Sequence, residues 1–167
     1  LKDNRERYAL MITQEMGKPV RESRAEVDKC SLLCDVYADK SPGWMKEEVL
    51  PLDGLWHKVR LEPLGVILSI MPWNYPFWQA LRFAVPSMIM GNACVLRHAS
   101  NVTGSALLIE EAFQRAGFPE GLFQTVICSH QDTESMIQHP GIAGVSFTGS
   151  TEVGARIASL AGANLKK

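Results

Sequence analysis

The feature that most constrains this fold is an alternation of strand-length apolar runs and helical segments, which begins after Pro63. Apolar runs occupy residues 65–71, 93–96, 122–128 and 142–147. Helical patterns cover residues 76–90, 102–116, 132–139 and about 150–163, and Gly or Pro follows the first three. Strands that are apolar throughout and separated by helices are buried on both faces. The pattern therefore predicts an α/β fold with a doubly wound parallel sheet.

The part of the chain before Pro63 has a different pattern. Apolar residues recur at helical spacing over residues 2–39, and Gly17, Lys18 and Pro19 interrupt them, which predicts two amphipathic helices. Residues 41–63 are rich in Pro and Gly, and Asp53-Gly54 between two strand-like runs predicts a hairpin. We therefore divide the chain into a helical pair (1–40), a hairpin excursion (41–63) and an α/β unit (64–167).

Composition and charge exclude several classes of protein. The apolar share of 46% and the charged share of 21% are typical of a globular domain. A net charge of −1 gives no electrostatic footprint for nucleic acid or an anionic membrane surface. The longest apolar stretch, residues 75–90, is too short and too interrupted to span a bilayer. We expect a soluble protein without a signal peptide, and because the chain starts at Leu1 we expect a piece of a longer one.

The four cysteines indicate a reducing compartment. Cys30, Cys34, Cys94 and Cys128 form no CxxC pair and are too sparse for a disulfide scaffold, which favours the cytoplasm. Cys30 and Cys34 lie one helical turn apart and could share a metal ion, but no His or further Cys lies at ligand spacing. We expect buried core thiols and no metal site.

The residues that follow each strand are the candidates for binding, because ligands of such sheets sit at the carboxyl ends of the strands. After the fourth strand, Gly149 lets the backbone approach a ligand, and Ser150 opens a helix whose free N–H groups attract a phosphate. The segment has the Gly-x4-Gly spacing of a P-loop without its Lys-Ser/Thr, and it is not a GxGxxG fingerprint. Two interpretations stay open: a phosphate site, and a serine that only caps a surface helix.

Two further polar residues follow the first and second strands. Asn74 stands at a strand-to-helix turn, where its amide either caps the helix or donates to a developing oxyanion. Arg97 stands at a strand end, where it either binds phosphate or ribose or forms a surface ion pair. The residue types alone do not choose between these alternatives.

Taken together, four segments resemble the aldehyde dehydrogenase superfamily in order and spacing. They are EPLGVILSIMPWNYPFW, GNACVLRHASNVTGSAL, AGFPEGLFQTV and VSFTGSTEVG. The resemblance extends over essentially the whole chain, including GKPVRESRAEV in the N-terminal helices. It implies that residues 64–167 form a Rossmann-like, NAD(P)-binding domain that is truncated before the catalytic domain. The segments CDVYAD and RHASN are most similar to succinate-semialdehyde dehydrogenases of the NAD(P) type.

The resemblance implies roles for individual residues. Asn74 falls at the family's oxyanion-hole asparagine, whose amide stabilises the oxyanion formed when a thiolate attacks the aldehyde. Arg97 falls where the family usually has a Lys that binds the adenosine ribose, and Ser100 falls where NAD-preferring members carry Glu. The remaining positions along the implied NADP or NAD path are Met71, Pro72 and Trp73 for ribose and phosphate, Gly121 and Val153 for adenine, and Thr148, Gly149 and Ser150 for nicotinamide and pyrophosphate.

The chain also departs from the family pattern. It ends before the family's Glu-Leu-Gly-Gly segment, which supplies the general base, and before the nucleophilic Cys, and none of its four cysteines has a matching context. His98 replaces a common Pro, which implies a different local turn. We therefore expect the N-terminal, cofactor-binding portion of an NAD(P)-dependent aldehyde dehydrogenase, inactive alone.

The resemblance also implies a reaction and an assembly. The reaction is the oxidation of a small aldehyde, with succinate semialdehyde as the candidate, to a carboxylate. The hairpin belongs to an oligomerisation element in the family, so we expect the full-length enzyme to be a homo-oligomer. The alternative that stays open is a truncated, non-catalytic protein that binds nucleotide or pairs with a full-length partner.

Overall fold

Two helices form the N-terminal part of the computed structural model, which describes residues 1–52 and 55–167. A short 3-10 turn at Lys2–Asn4 leads into α1 (Arg5–Met16), and α2 (Val20–Trp44) follows after Pro19. Gly17 ends α1 in the left-handed region, with φ of 82°, where an L side chain would be strained. The predicted pair of helices with a break at residues 17–19 is confirmed.

The second helix is longer than its sequence pattern predicts. It continues through Pro42 to Trp44, so the predicted end of the helical pattern near residue 39 is wrong. Pro42 has no N–H to donate to the carbonyl of Ala38, but Ala38 is exposed and water can satisfy that oxygen. The helix then closes with the Met45 N–H donating to the Ser41 carbonyl at 3.0 Å.

The hairpin excursion is present as two short strands. β1 (Glu48–Leu52) pairs antiparallel with β2 (Leu55–Val59) in a two-stranded sheet that is separate from the main sheet. The predicted turn at Asp53-Gly54 lies outside the described residues. The two strands therefore occupy the middle of the segment 41–63 that the sequence assigns to the hairpin.

The main sheet has the predicted parallel arrangement. Its strands are β3 (Val66–Met71), β4 (Ala93–His98), β5 (Phe123–Thr125) and β6 (Ile142–Phe147), in the order β5-β4-β3-β6. The helices that alternate with them are α3 (Pro76–Ile89), α4 (Thr103–Arg115), α5 (His130–Gln138) and α6 (Thr151–Ala163). The chain runs outward from β3 to β5 and then returns to place β6 on the other side of β3. This reversal creates a switch point between β3 and β6, where α/β proteins bind ligands.

Two strands end at other residues than predicted, because the end of a strand depends on the strands with which it pairs. β4 extends two residues further than predicted, to His98, and stays paired with β3 up to Met71. β5 ends at Thr125, three residues early, because it is an edge strand that pairs only with β4.

Apolar side chains pack on both faces of the sheet, as the predicted fold requires. One cluster joins the sheet to α1–α4, with Tyr8, Ile12, Phe77, Leu96 and Ile109 fully buried. The other joins it to α5 and α6 through a smaller set, Leu68, Ile70, Ile137, Ile142 and Ala161. Burying a side chain of this size contributes roughly 1.5–3 kcal/mol, so the N-terminal helices are integral to the first face.

The cysteines are free thiols, and Cys30 and Cys94 are buried in the core, as predicted, whereas Cys34 and Cys128 are only half-buried. Within residues 1–52 and 55–167, no three His, Cys, Asp or Glu side chains cluster as metal ligands would. None of the described helices combines the length and the apolarity needed to cross a bilayer.

Candidate functional site

Three loops meet at the carboxyl edge of the sheet, around the end of β3. The Ala99 N–H donates to the carbonyl of Met71, and the Thr148 N–H donates to the carbonyl of Ile70, each at 3.1 Å. The loops after β4 and β6 are thereby fastened to the central strand. Parallel pairing thus brings together three groups of predicted site residues, 71–74, 97–100 and 148–150.

Asn74 stands in the first of these loops with its side chain exposed. Its amide makes no hydrogen bond to any other residue in the described part of the chain. The cap position of α3 is Tyr75, and the first free N–H groups of that helix donate to Glu26 instead. The alternative in which Asn74 merely caps the helix is therefore wrong. The amide is available to a ligand at the switch point.

His98 bridges two of the loops. It is buried, its Nε2 lies 2.9 Å from the carbonyl oxygen of Pro76, and the Ala99 N–H donates to its Nδ1 at 3.0 Å. These partners assign the neutral tautomer with the proton on Nε2, because Nδ1 must accept. Burial lowers the pKa of His98 below its ordinary value, which keeps the ring neutral. The ring thus connects the start of α3 to the end of β4. A proline, which is common at this position in the family that the sequence resembles, has no side-chain nitrogen that could make these hydrogen bonds.

Arg97 and Ser100 frame a small cavity at the end of β4. Arg97 is half-buried and forms no ion pair or hydrogen bond with any described residue, so the surface ion-pair alternative is not supported. Ser100 is exposed, and both residues line a cavity of about 30 Å³ together with Thr103 and Cys128. An unpaired guanidinium beside a hydroxyl is suited to an anionic ligand group.

The loop after β6 contains the two glycines of the sequence motif. A Cβ on Gly149 would clash with Cζ of Phe147, and a Cβ on Gly154 would lie 3.2 Å from Cε1 of the same ring. Neither position has room for a side chain beside the Phe147 ring. Packing against this ring, besides the close approach of a ligand, therefore explains the two glycines of the motif. Ser150 caps α6 by accepting from the Val153 N–H at 3.4 Å. The capping interpretation of Ser150 is thus confirmed, and phosphate binding at the same helix end stays a prediction.

Two of the predicted cofactor-binding residues need correction. Gly121 precedes β5 and therefore lies at the amino edge of the sheet, opposite the site; its φ of 82° explains the glycine by the turn it makes. Gly121 therefore lies apart from the other predicted site residues, and the structure gives no support for its role beside an adenine. Met71 lies at the site, but its side chain is buried in the core and its carbonyl already accepts from Ala99.

The other predicted residues lie where the sequence places them, and the structure adds some that sequence reasoning missed. Pro72, exposed Trp73, Thr148 and exposed Val153 are all at the carboxyl edge. A nitrogen of the Arg82 guanidinium donates to Oγ1 of Thr148 at 2.9 Å, a contact between α3 and the β6 loop that no local pattern indicates. The segment after β5, residues 126–128, lines the cavity beside Arg97 and Ser100. The rule that ligands sit after strands already pointed to this segment.

Comparison with known proteins agrees with this geometry. The pattern of the aldehyde dehydrogenase family matches residues 1–167. The chain is 44% identical over 167 residues to the probable succinate-semialdehyde dehydrogenase (NADP(+)) of Synechocystis sp., covering 100% of this chain and 37% of that protein. It is also 44% identical over 167 residues to the succinate semialdehyde dehydrogenase (NAD(P)+) of Escherichia coli, covering 36% of that protein.

A solved structure is similar over the same range. The crystal structure of succinic semialdehyde dehydrogenase from Streptococcus pyogenes in complex with NADP+ superimposes with a TM-score of 0.97 at 38% identity, covering 100% of this chain and 37% of that one. The chain thus spans a little over a third of the length of the relatives that it matches. Its fold class and the resemblance of its motifs are confirmed, and the chain belongs to the aldehyde dehydrogenase family.

Proposed function

We propose that this chain is the cofactor-binding portion of an NAD(P)-dependent enzyme that oxidises a small aldehyde, with succinate semialdehyde as the candidate, to a carboxylate. The observation that carries the proposal is the exposed, unengaged amide of Asn74 at the switch point between β3 and β6. The succinate-semialdehyde dehydrogenases of Synechocystis and Escherichia coli, each 44% identical to this chain, support succinate semialdehyde as the substrate.

In this proposal Asn74 acts on the substrate oxygen. When a thiolate adds to the aldehyde carbon, negative charge develops on that oxygen, and the amide N–H of Asn74 donates to it. The donor is already in place, since the turn that carries Asn74 is attached at both ends to buried structure. We assign the thiolate and the general base to parts of the full-length protein beyond these 167 residues.

The same edge suits NADP or NAD. Arg97 and Ser100 would contact the adenosine ribose and its 2′-phosphate, because an unpaired guanidinium and a neutral hydroxyl tolerate that charge. The first turn of α6, which begins after Ser150, would face the pyrophosphate, where helix N–H groups favour an anion. Val153, in the same turn, would flank the adenine. When bound, the nicotinamide would accept a hydride from the substrate carbon. Pro72, Trp73, Thr148 and Gly149 would line the path between these groups.

We further propose that the full-length enzyme is a cytoplasmic homo-oligomer. The β1–β2 hairpin stands apart from the main sheet and exposes Val49, Leu50 and Val59, which an adjoining subunit could cover. Four free thiols are consistent with a reducing compartment.

Replacing Asn74 with Ala in the full-length protein tests the proposal. We expect kcat for succinate semialdehyde to fall by roughly 10²–10³-fold, the usual loss for one oxyanion donor. The dissociation constant for NADP, measured by fluorescence titration, should stay nearly unchanged. Asn4→Ala is the matched control, because Asn4 makes no side-chain cap on α1 and lies in the N-terminal segment. A folded Asn74→Ala protein with kcat within a few-fold of the parent would contradict the proposal.

A further inference from the structure

Helix α3, which follows Asn74, has an unusual arrangement at its first turn. Its first residue, Pro76, has no N–H, and the next two N–H groups, of Phe77 and Trp78, both donate to Oε1 of Glu26 at 2.8 and 2.9 Å. The Gln79 N–H donates to the Tyr75 carbonyl at 2.9 Å. Every donor at this helix end is thereby accounted for, and the acceptor for two of them comes from α2, some fifty residues earlier in the chain.

Glu26 is itself held by a buried cation. The carboxylate is 3% exposed, and its second oxygen, Oε2, pairs with the ammonium of Lys18, which is 9% exposed. A buried carboxylate without a partner would be costly, so the lysine and the two N–H groups together make this position tenable. The negative charge also lies at the positive end of the helix dipole.

Further contacts fix the residues on either side of the start of α3. The ammonium of Lys18 lies over the ring of Tyr75, 4.2 Å from its centroid, and Tyr75 is the residue next to Asn74. The ring of Tyr8 packs against Phe77 with centroids 5.1 Å apart. On the other side, Met71 is fixed by the Ala99 N–H and Pro76 by His98. The turn that carries Asn74 is therefore short and fixed at both ends.

We propose that Glu26 and Lys18 are positioning residues for Asn74, acting through the first turn of α3. Neither residue contacts substrate or cofactor. Together they fix the position and orientation of the Asn74 amide relative to the developing oxyanion. A small misplacement of a donor weakens a hydrogen bond that matters most in the transition state. The inference rests on the proposed function, since it needs Asn74 to be the oxyanion donor.

A second carboxylate provides a matched control. Glu15 of α1 accepts from the Gly104 and Ser105 N–H groups at 2.5 and 2.8 Å, so it caps α4 as Glu26 caps α3. The turn before α4 carries no proposed oxyanion donor. Glu15→Gln should therefore perturb a helix cap of the same kind without changing kcat at saturating cofactor.

The test measures kcat and the NADP dissociation constant of the full-length protein for five variants: Glu26→Gln, Lys18→Met, Glu15→Gln, Asn74→Ala and Glu26→Gln with Asn74→Ala. Glu26→Gln presents amide hydrogens to the Lys18 ammonium, and we expect kcat to fall by about tenfold or more with NADP affinity nearly unchanged. Lys18→Met should also lower kcat, and it replaces Glu26→Gln in the test if that variant does not fold. In the Asn74→Ala background, Glu26→Gln should not lower kcat any further, because both changes remove the same interaction.

The outcomes separate the two proposals. If Asn74→Ala lowers kcat but Glu26→Gln and Lys18→Met do not, or if the Glu26 and Asn74 losses multiply, the positioning role is overturned and the proposed function stands. If Glu15→Gln lowers kcat as much as Glu26→Gln, the effect is general loss of helix capping and the positioning role is again overturned. If Asn74→Ala leaves kcat unchanged, the proposed function fails and this inference fails with it.

Discussion

Replacing Ser100 with Glu in the full-length protein should shift cofactor preference from NADP toward NAD. The parent has a neutral, exposed hydroxyl at this position beside the unpaired guanidinium of Arg97, so we expect it to use NADP at least as well as NAD. A carboxylate here would repel the 2′-phosphate of NADP and could accept hydrogen bonds from the ribose hydroxyls of NAD. It could also pair with Arg97 three residues earlier and withdraw it from the phosphate.

The size of the effect follows from the exposure of the site. Two unit charges about 5 Å apart interact by about 0.8 kcal/mol in water and by about 3 kcal/mol at an effective dielectric constant near 20. Ser100 is exposed while Arg97 is half-buried, so the true value lies between these limits. Because the 2′-phosphate carries nearly two charges, the lower limit of the repulsion rises, and we expect a shift of about 1–3 kcal/mol, which is roughly five- to 150-fold.

The assay is kcat/KM for NADP and for NAD in the parent, in Ser100→Glu and in Asn101→Glu. Asn101 is exposed and adjacent but does not line the cavity, so Asn101→Glu adds the same charge outside the proposed phosphate site. Raising the ionic strength should reduce the Ser100→Glu shift, because exposed charges are screened. A parent that strongly prefers NAD, with a ratio indifferent to Ser100→Glu, would refute the assignment of this loop to the 2′ position. An equal shift in Asn101→Glu would refute it as well.

Two further predictions concern pH and thiol chemistry. Because burial lowers the pKa of His98, the unfolded chain binds this proton more readily, so the free energy of unfolding should be steady above about pH 7 and decrease as the pH falls below about 6.5. Thermal melts from pH 7.5 to 5 should show a shallower decrease for His98→Gln, and equal slopes would contradict the buried neutral ring. Burial also raises the pKa of the Cys30 and Cys94 thiols, so iodoacetamide should modify both far more slowly than half-buried Cys128 in the native protein. Mass spectrometry of the digested protein measures this, and equal rates for the three thiols would show that the core is open to the reagent.

The local pattern of the sequence was sufficient to predict the helices and strands of the α/β unit and the edge of the sheet at which ligands bind. Residues 142–147 are a strand in both the prediction and the structure, because an apolar run bounded by Gly and Thr has few other ways to bury its side chains. The position of Asn74 after β3, and of Ser150 at the start of α6, follows from the same alternation. These features depend on neighbours in the sequence, and so the sequence alone predicts them.

Contacts between distant segments were decided only by the tertiary structure. Nothing near Glu26 in the sequence indicates that it receives the N–H groups of Phe77 and Trp78, because that contact depends on how α2 packs against α3. The same reason explains why Gly121 lies apart from the other predicted site residues, because the pairing of β5 with β4 fixes the edge of the sheet at which it stands. The sequence by itself determined which residues stand at the ends of strands; the packing of helices on the sheet decided which of those residues are held, buried or left free to meet a ligand.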